Sequence, residues 1–380
     1  MMQEKNPIVF KIPPYKDILG LLQQDDIQEP ISHEVFANLK NRLNTSKTKM
    51  DGIPTKKYTG LATKLDVYNG LRKFVEVQFN AQRVSNAWLK IYELMSIFTP
   101  ITKKNPYIFC NAELPGAFLL GLNHYIRAPL PHTNYEWVAS SLISDDKKSL
   151  GDFYGLYRKY NEKWLMDLKQ GLNGDVTEMK TIKHIAKYFA TRKVDLYTSD
   201  LGMDVSADYN KQEDIHMHAN LGQILSGLIS VDIGGSFITK QYTFFETFTL
   251  NLIVLLSGMF REFYICKPLT SRPLNSEIYL VGLGFIGAPG VIAVLTDRLR
   301  EKNLSPIFSL TPAVEQIRII AEAGNAIFGR QADLIDKYIE LSLMPNLPRM
   351  IEFDASFKKE KEKEFCKKYD IKWLDRKLWI

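Results

Sequence analysis

Between residues 107 and 282 short apolar runs alternate with longer amphipathic ones, and that alternation leaves few architectures open. YIFC (107–110), YEWVAS (135–140), VDLYTS (194–199), SFITK (236–240), REFYICK (261–267) and EIYLVG (277–282) have strand length and are largely apolar. Helical stretches of about ten to twenty residues separate most of them: PGAFLLGLNHYI, TEMKTIKHIAKYFATRK, one at about 211–230 and one at 246–260. Such strands, alternating with helices, predict a mainly parallel twisted sheet covered by helices on both faces, an α/β fold. The last two strands are joined by only about nine residues and no helix, so they are expected to pair antiparallel at an edge.

The flanks read differently. Residues 1 to about 55 are rich in Pro, Lys, Asn and Asp with one helix near 32–44, which predicts an arm or small appendage. A helical segment follows at 60–79. In AQRVSNAWLKIYELMSIF (81–98), Val84, Trp88, Leu89, Tyr92, Leu94 and Met95 recur at the spacing of a helix with one buried stripe. Beyond 283 the strands stop, and 290–302, 311–325, 328–344 and 356–369 read as helices. The expected division is an N-terminal arm (1–66), a sheet domain (67–286) and a C-terminal helical extension (287–380).

Net charge is +6, which favours a polyanionic partner. Cys110, Cys266 and Cys366 are few and far apart, fitting reduced core residues rather than a disulfide framework or zinc motif. The start, MMQEKNPIVFKIPPYKD, lacks a signal-peptide pattern. The most apolar stretch, FTLNLIVLLSGMF (248–260), falls short of the roughly 20 residues a membrane span needs. A soluble protein without a membrane partner is the expectation.

Open α/β sheets build their sites at the carboxyl ends of strands. There VDLYTSDLG supplies Asp200, GGSFITKQY supplies Lys240 and SRPLNSEIYLVG supplies Glu277, while Lys90 lies on the apolar helix over 81–98. Two amines and two carboxylates make an acid/base constellation, not a metal cage, since amines ligate poorly at neutral pH. Taken singly, Lys90 reads as a solvated helix residue and Asp200 as a turn former. In CNAELPGAFLLGLNHYI (110–126) the small residues Pro115, Gly116 and Ala117 stand between a strand and a helix, where a nucleotide-like ligand can approach the backbone.

These motifs carry a resemblance. Glu113, Pro115, Gly116, Ala117 and Phe118, followed by Leu122, Asn123, His124 and Tyr125, then Trp137, Val138 and Ala139, then Asn173, Gly174 and Asp175, stand in family order. SD-x-G (199–202), GGSF-x-x-K (234–240) and KP-x-TSRP-x-NSE (267–277) complete the set. The span from about Lys73 to Gly282 resembles the FtsJ-type S-adenosylmethionine-dependent RNA 2′-O-methyltransferases. Its pattern is nearest to the cap-specific mRNA (nucleoside-2′-O-)-methyltransferases of the cap 2 (Adrift-type) branch and their large-DNA-virus homologues. Cys110 and Ala112 stand where many members of the wider superfamily carry an acidic residue and a glycine.

The resemblance implies a Rossmann-like methyltransferase fold, S-adenosylmethionine as cofactor and RNA, in particular a capped mRNA 5′ end, as partner. Lys90, Asp200, Lys240 and Glu277 would be the catalytic tetrad. Glu113, Leu114, Pro115, Gly116, Ala117, Phe118, Trp137, Asp175 and Asp200 would hold the cofactor, with Asp175 on the adenine amino group. Lys267, Arg272 and Asn275 would contact RNA. A capping or transcription machinery partner is implied, in the cytoplasm, or in the host cytoplasm or virion for a viral chain, with a nuclear location left open.

Lys240 is expected to face the ribose hydroxyl. Burial and the like charge of Lys90 favour its neutral form, whereas Asp200 and Glu277 favour the ammonium, and composition cannot balance them. Three rival readings remain: methylation of internal ribosomal or transfer RNA ribose, a non-catalytic RNA-binding capping subunit, and a nicotinamide oxidoreductase built on VGLGFIG (281–287). The last lacks the further strands of a dinucleotide fold, so its glycines read as a flexible strand exit. His216 and His218, two apart on a helix, are expected on different faces, at the surface or half-buried. The run KKEKEKEFCKK reads as a solvated helix face.

Overall fold

The computed structural model describes residues 6–23, 34–144, 151–203, 209–344 and 355–380. Among these, seven strands form one sheet: β1 (Ile8–Ile12), β2 (Tyr107–Asn111), β3 (Glu136–Ala139), β4 (Val194–Ser199), β5 (Val231–Gln241), β6 (Phe260–Lys267) and β7 (Ile278–Phe285). Their spatial order is β1-β6-β7-β5-β4-β2-β3. β3, β2, β4 and β5 are mutually parallel, while β7 runs antiparallel between β5 and β6.

The helices are α1 (Ile18–Leu21), α2 (Glu34–Lys49), α3 (Thr55–Leu65), α4 (Leu71–Phe79), α5 (Asn86–Phe98), α6 (Ala117–Arg127) and α7 (Leu156–Lys159). There follow α8 (Met179–Tyr188), α9 (Gln212–Ser230), α10 (Thr247–Met259), α11 (Pro289–Glu301), α12 (Val314–Gly324), α13 (Arg330–Leu343) and α14 (Ala355–Lys368). Residues 32 and 33 of the expected helix over 32–44 lie outside the described residues.

Strand periodicity explains the two helical layers. In β2, Tyr107 and Phe109 enter one core with α8, α9 and α10, while Ile108 and Cys110 enter the other with α4, α5 and α6. Alternate side chains point to opposite faces, so a strand apolar at every position needs both faces covered. Phe237, fully buried between Tyr197 and Phe260, shows the packing density; its truncation to Ala would cost about 3–5 kcal/mol.

One expectation changes. Part of the supposed N-terminal arm is sheet: β1 pairs antiparallel with β6 from Ile8↔Lys267 to Ile12↔Phe263, and Ile12, Phe36, Leu39 and Leu43 belong to the first core. The β6–β7 pair is antiparallel as expected, but β1 covers β6 and takes the edge. The C-terminal region is helical as expected, with α11, α12 and α13 packed on the first core and α14 on the second. All three cysteines are buried and free. Among the described residues no helix is long and apolar enough to cross a membrane.

Candidate active site

The parallel strands end together, and the strand-end residues gather there. Asp200 follows β4 directly, Lys240 is the penultimate residue of β5, and Glu277 precedes β7, whose antiparallel direction puts its start beside the end of β5. Lys90 comes from the middle of α5, whose start is fixed by the Ser85 hydroxyl accepting the Trp88 N–H at 3.1 Å.

Two ion pairs result. Lys90 Nζ lies 2.5 Å from Glu277 Oε1, and Lys240 Nζ lies 3.2 Å from Asp200 Oδ1 while donating to the Asp200 carbonyl at 2.8 Å. Lys90, Lys240 and Glu277 are buried and Asp200 is half-buried. Tyr279 joins the pairs, its hydroxyl lying 2.9 Å from Asp200 Oδ1 and 3.2 Å from Glu277 Oε1. Tyr279 is the cross-strand partner of Lys240 and stands two residues after Glu277, so strand alternation puts both on one face. That i, i+2 spacing was the signal in NSEIY that could have revealed it.

The charges settle the state of Lys240. Burial alone would lower its pKa, but Asp200, Tyr242 and Glu277 outweigh it and hold the amine well above its ordinary value. The expected drive toward a neutral amine therefore loses, because two carboxylates face it inside the protein. Burial likewise opposes ionisation of Glu277, yet Lys90 and Lys240 hold its carboxyl below the usual range.

The glycine-bearing loop lies alongside. Leu114, Gly116, Ala117 and Phe118 are buried and Pro115 half-buried, and Gly116 adopts φ +116°, a conformation that suits glycine at the start of α6. Glu113 Oε1 accepts the Leu119 N–H at 2.8 Å; burial, with the Asp200 charge adding to it, pushes this carboxyl up to about 8. The Phe118 and Tyr279 rings lie 6.2 Å apart, so loop and tetrad share one site. The NGD turn closes on it: a Cβ on Gly174, at φ +81°, would lie 2.0 Å from the Ser141 carbonyl oxygen, so only glycine allows this crossing. Asp175 is half-buried, with Oδ1 accepting the Thr177 N–H (2.9 Å) and hydroxyl (2.7 Å). Trp137, two residues inside β3, packs edge-on to Tyr160 beneath the Lys163 ammonium; the β3 end itself is followed by Ser140 and Ser141.

The donor set beside this loop suits a sulfonium nucleoside. Asn111 Oδ1 and Ser140 Oγ, buried at the carboxyl ends of β2 and β3, have no hydrogen-bond partner within the chain. Buried polar atoms of this kind are normally paired. Asp200 supplies a carboxylate for a cationic centre.

Other expected site residues fall elsewhere. Lys267 is buried, its ammonium donating to Asn275 O (2.7 Å), Glu277 O (3.1 Å) and Ser271 Oγ (3.3 Å). The RNA contact expected of it is corrected to a clamp on loop 268–277. Arg272 is exposed and Asn275 half-buried on that loop. Both line a cavity of about 320 Å³ with Asp66, Tyr68, Asn69 and Tyr338. His216 is fully buried, against expectation: its Nδ1 meets the Gln212 carbonyl at 2.7 Å and its Nε2 accepts the Met203 N–H at 2.9 Å. Its ring lies 4.6 Å from that of Tyr242, behind Lys240; His218 is half-buried. Val281–Phe285 of VGLGFIG is strand, and a Cβ on Gly282 would lie 2.6 Å from the Phe260 ring, so that glycine serves packing rather than a strand exit.

The sequence profile of the FtsJ-like methyltransferases matches residues 83–285. A protein described as probable methyltransferase EP424R, of an African swine fever virus isolate from a Namibian warthog, is 40% identical over 306 residues, 76% of this chain and 72% of that one. The cap-specific mRNA (nucleoside-2′-O-)-methyltransferase 2 of Drosophila melanogaster is 24% identical over 290 residues, 72% of this chain and 40% of that one. The crystal structure of a putative ribosomal RNA methyltransferase from Plasmodium falciparum covers 54% of this chain and 99% of its own at 21% identity, with a TM-score of 0.38. The chain belongs to the FtsJ-like methyltransferases, and its methyl donor is S-adenosylmethionine.

Proposed function

We propose that the chain transfers methyl groups to a ribose 2′-hydroxyl at the 5′ end of capped mRNA. What carries this reading is the pair of buried lysine–carboxylate bridges joined through Tyr279 beside the Glu113–Phe118 loop. Their four charges sum to zero, so the site neither repels nor overwhelms a cationic donor.

S-adenosylmethionine, when bound, supplies an electrophilic methyl carbon on a positively charged sulfur. The chain's residues do the rest. The Glu113–Phe118 loop, Asp175 and Asp200 would hold the donor. Lys240, kept as an ammonium, cannot act as the base; it donates a hydrogen bond to the 2′-oxygen and aims a lone pair at the methyl carbon. As the oxygen–carbon bond forms and the carbon–sulfur bond breaks, the hydroxyl proton passes to the Asp200 carboxylate, the acceptor beside Lys240. Lys90 and Tyr279 fix the two carboxylates.

The cap end of the substrate is supported by the cavity beside loop 268–277. Its volume is about 320 Å³, and its lining offers polar groups for a base edge at Asp66, Asn69 and Asn275 and aromatic rings at Tyr68 and Tyr338. The testing experiment is methyl transfer onto short RNAs that are uncapped, capped, or capped and already methylated at the first nucleotide. Label on the capped RNAs only is expected. Equal label on uncapped RNA refutes cap dependence, and loss of label on the premethylated RNA identifies the first nucleotide as target rather than the second.

A further inference from the structure

We infer that Glu93 is a positioning residue for methyl transfer, and that the segment after α14 reaches the catalytic loop through it. Lys90 and Glu93 stand three apart on α5 and share a helix face. Lys90 holds the end of loop 268–277 through Glu277. Glu93 holds its beginning: Oε1 accepts the Leu269 N–H at 2.8 Å, and Oε2 accepts the Thr270 N–H at 3.1 Å and the Thr270 hydroxyl at 2.8 Å. One helical turn therefore grips both ends of the loop that carries Glu277, Arg272 and Asn275.

The fourth donor to Glu93 comes from far along the chain. Tyr369, just past α14, donates its hydroxyl to Oε1 at 2.8 Å. From there the segment 370–380 lies against the helices of the second core: His124 Nε2 meets the Lys372 carbonyl at 2.7 Å, and the Asn80 and Asn123 side-chain amides donate to Leu374 O (2.6 Å) and Leu378 O (2.9 Å). His124 and Asn123 belong to α6, which the cofactor loop begins. The segment thus spans from the donor helix to the acceptor loop, with Glu93 as the junction. Glu93 is fully buried, which raises its carboxyl pKa, and each of its oxygens accepts a backbone N–H, Oε1 from Leu269 and Oε2 from Thr270. In Glu93→Gln the amide NH₂, on either side, would face a backbone N–H.

This inference rests on the methyl-transfer reading, and the test separates the two: if that reading fails, the wild-type chain methylates no RNA. Steady-state transfer to capped RNA would be measured for the full chain, Glu93→Gln, Tyr369→Phe, the double variant and Gln82→Ala. Gln82 pairs with the backbone of Ile380, at the far end of the segment from Tyr369, so its loss weakens the same segment elsewhere. Glu93→Gln is expected to raise KM for RNA and lower kcat, reducing kcat/KM by about tenfold or more, with the Kd for S-adenosylmethionine unchanged. Tyr369→Phe should lose less in the same direction, the double variant should match Glu93→Gln, and Gln82→Ala should lower Tm alone. Wild-type kcat and KM in folded Glu93→Gln, or additive losses in the double variant, overturn the inference. Should Glu93→Gln fail to fold, Tyr369→Phe decides: a lowered Tm with unchanged kcat/KM makes the contact structural only and also overturns it.

Discussion

Glu113 and Glu277 are both fully buried glutamates on the rim of one cleft, and they are pushed in opposite directions. Glu277 has Lys90 at 2.5 Å and Lys240 nearby, and its carboxyl is held below the ordinary range despite burial. Glu113 has backbone N–H groups but no cation, with Asp200 nearby, and burial drives it up to about 8. One side of the site is thus built from fixed charges in pairs, whereas the other presents a carboxyl that burial pushes toward its protonated form. Opposite charges within a few ångströms decide the first case and desolvation the second. A cationic donor bound as proposed would face Glu113 on one side and the charged pairs on the other.

Breaking the paired half has the largest effect. Lys90→Met leaves Glu277 buried without its nearest cation and is expected to lower stability by about 3–5 kcal/mol, read by denaturant unfolding, with methyl transfer lost. If stability is unchanged, the pair does not hold the loop. Lys240→Ala comes next. Removing the oriented ammonium should reduce kcat by about 100-fold or more while calorimetry shows S-adenosylmethionine binding nearly intact; more than a few per cent of wild-type activity would remove Lys240 from the chemistry.

The donor half should respond in affinity rather than rate. Asp175→Ala is expected to weaken S-adenosylmethionine binding by about tenfold, the scale of one charge-assisted hydrogen bond, and an unchanged affinity contradicts the adenine contact. The smallest effect sharpens the contrast itself. A carboxyl raised in the folded state adds stability at low pH and loses it as pH climbs from the ordinary 4.5 toward about 8. Glu113→Gln imitates the protonated acid and can keep the Leu119 bond, so its Tm should fall less than the wild type's over that window, by a few degrees. Parallel pH profiles for the two proteins would show that Glu113 is not the group responsible.

Much of this was legible in the residue order because strand ends are strongly patterned. Runs such as VDLYTS and SFITK are apolar enough to be strands, and the ionisable residue at or after each had to emerge at the same edge of a parallel sheet, which is where Asp200 and Lys240 lie. What escaped depended on distant partners. β1 is short and lies in a polar stretch, and its role appears only through β6, some 250 positions on. Lys267 resembles any basic residue near an RNA-binding loop until its ammonium is seen donating to Asn275 O and Glu277 O. His216 is buried because Gln212 and Met203 satisfy both ring nitrogens. The protonation of Lys240 turns on a sum of opposing energies that spacing cannot supply.

The central claim is that the oxygen brought before Lys240 belongs to a ribose. The most direct measurement is transfer of labelled methyl to a capped oligoribonucleotide and to the same molecule with 2′-deoxyribose at its first and second transcribed nucleotides. The account predicts label on the first substrate and none on the doubly deoxy one. Equal label on both would put the methyl on neither of those two 2′-oxygens and contradict the cap-proximal ribose as target.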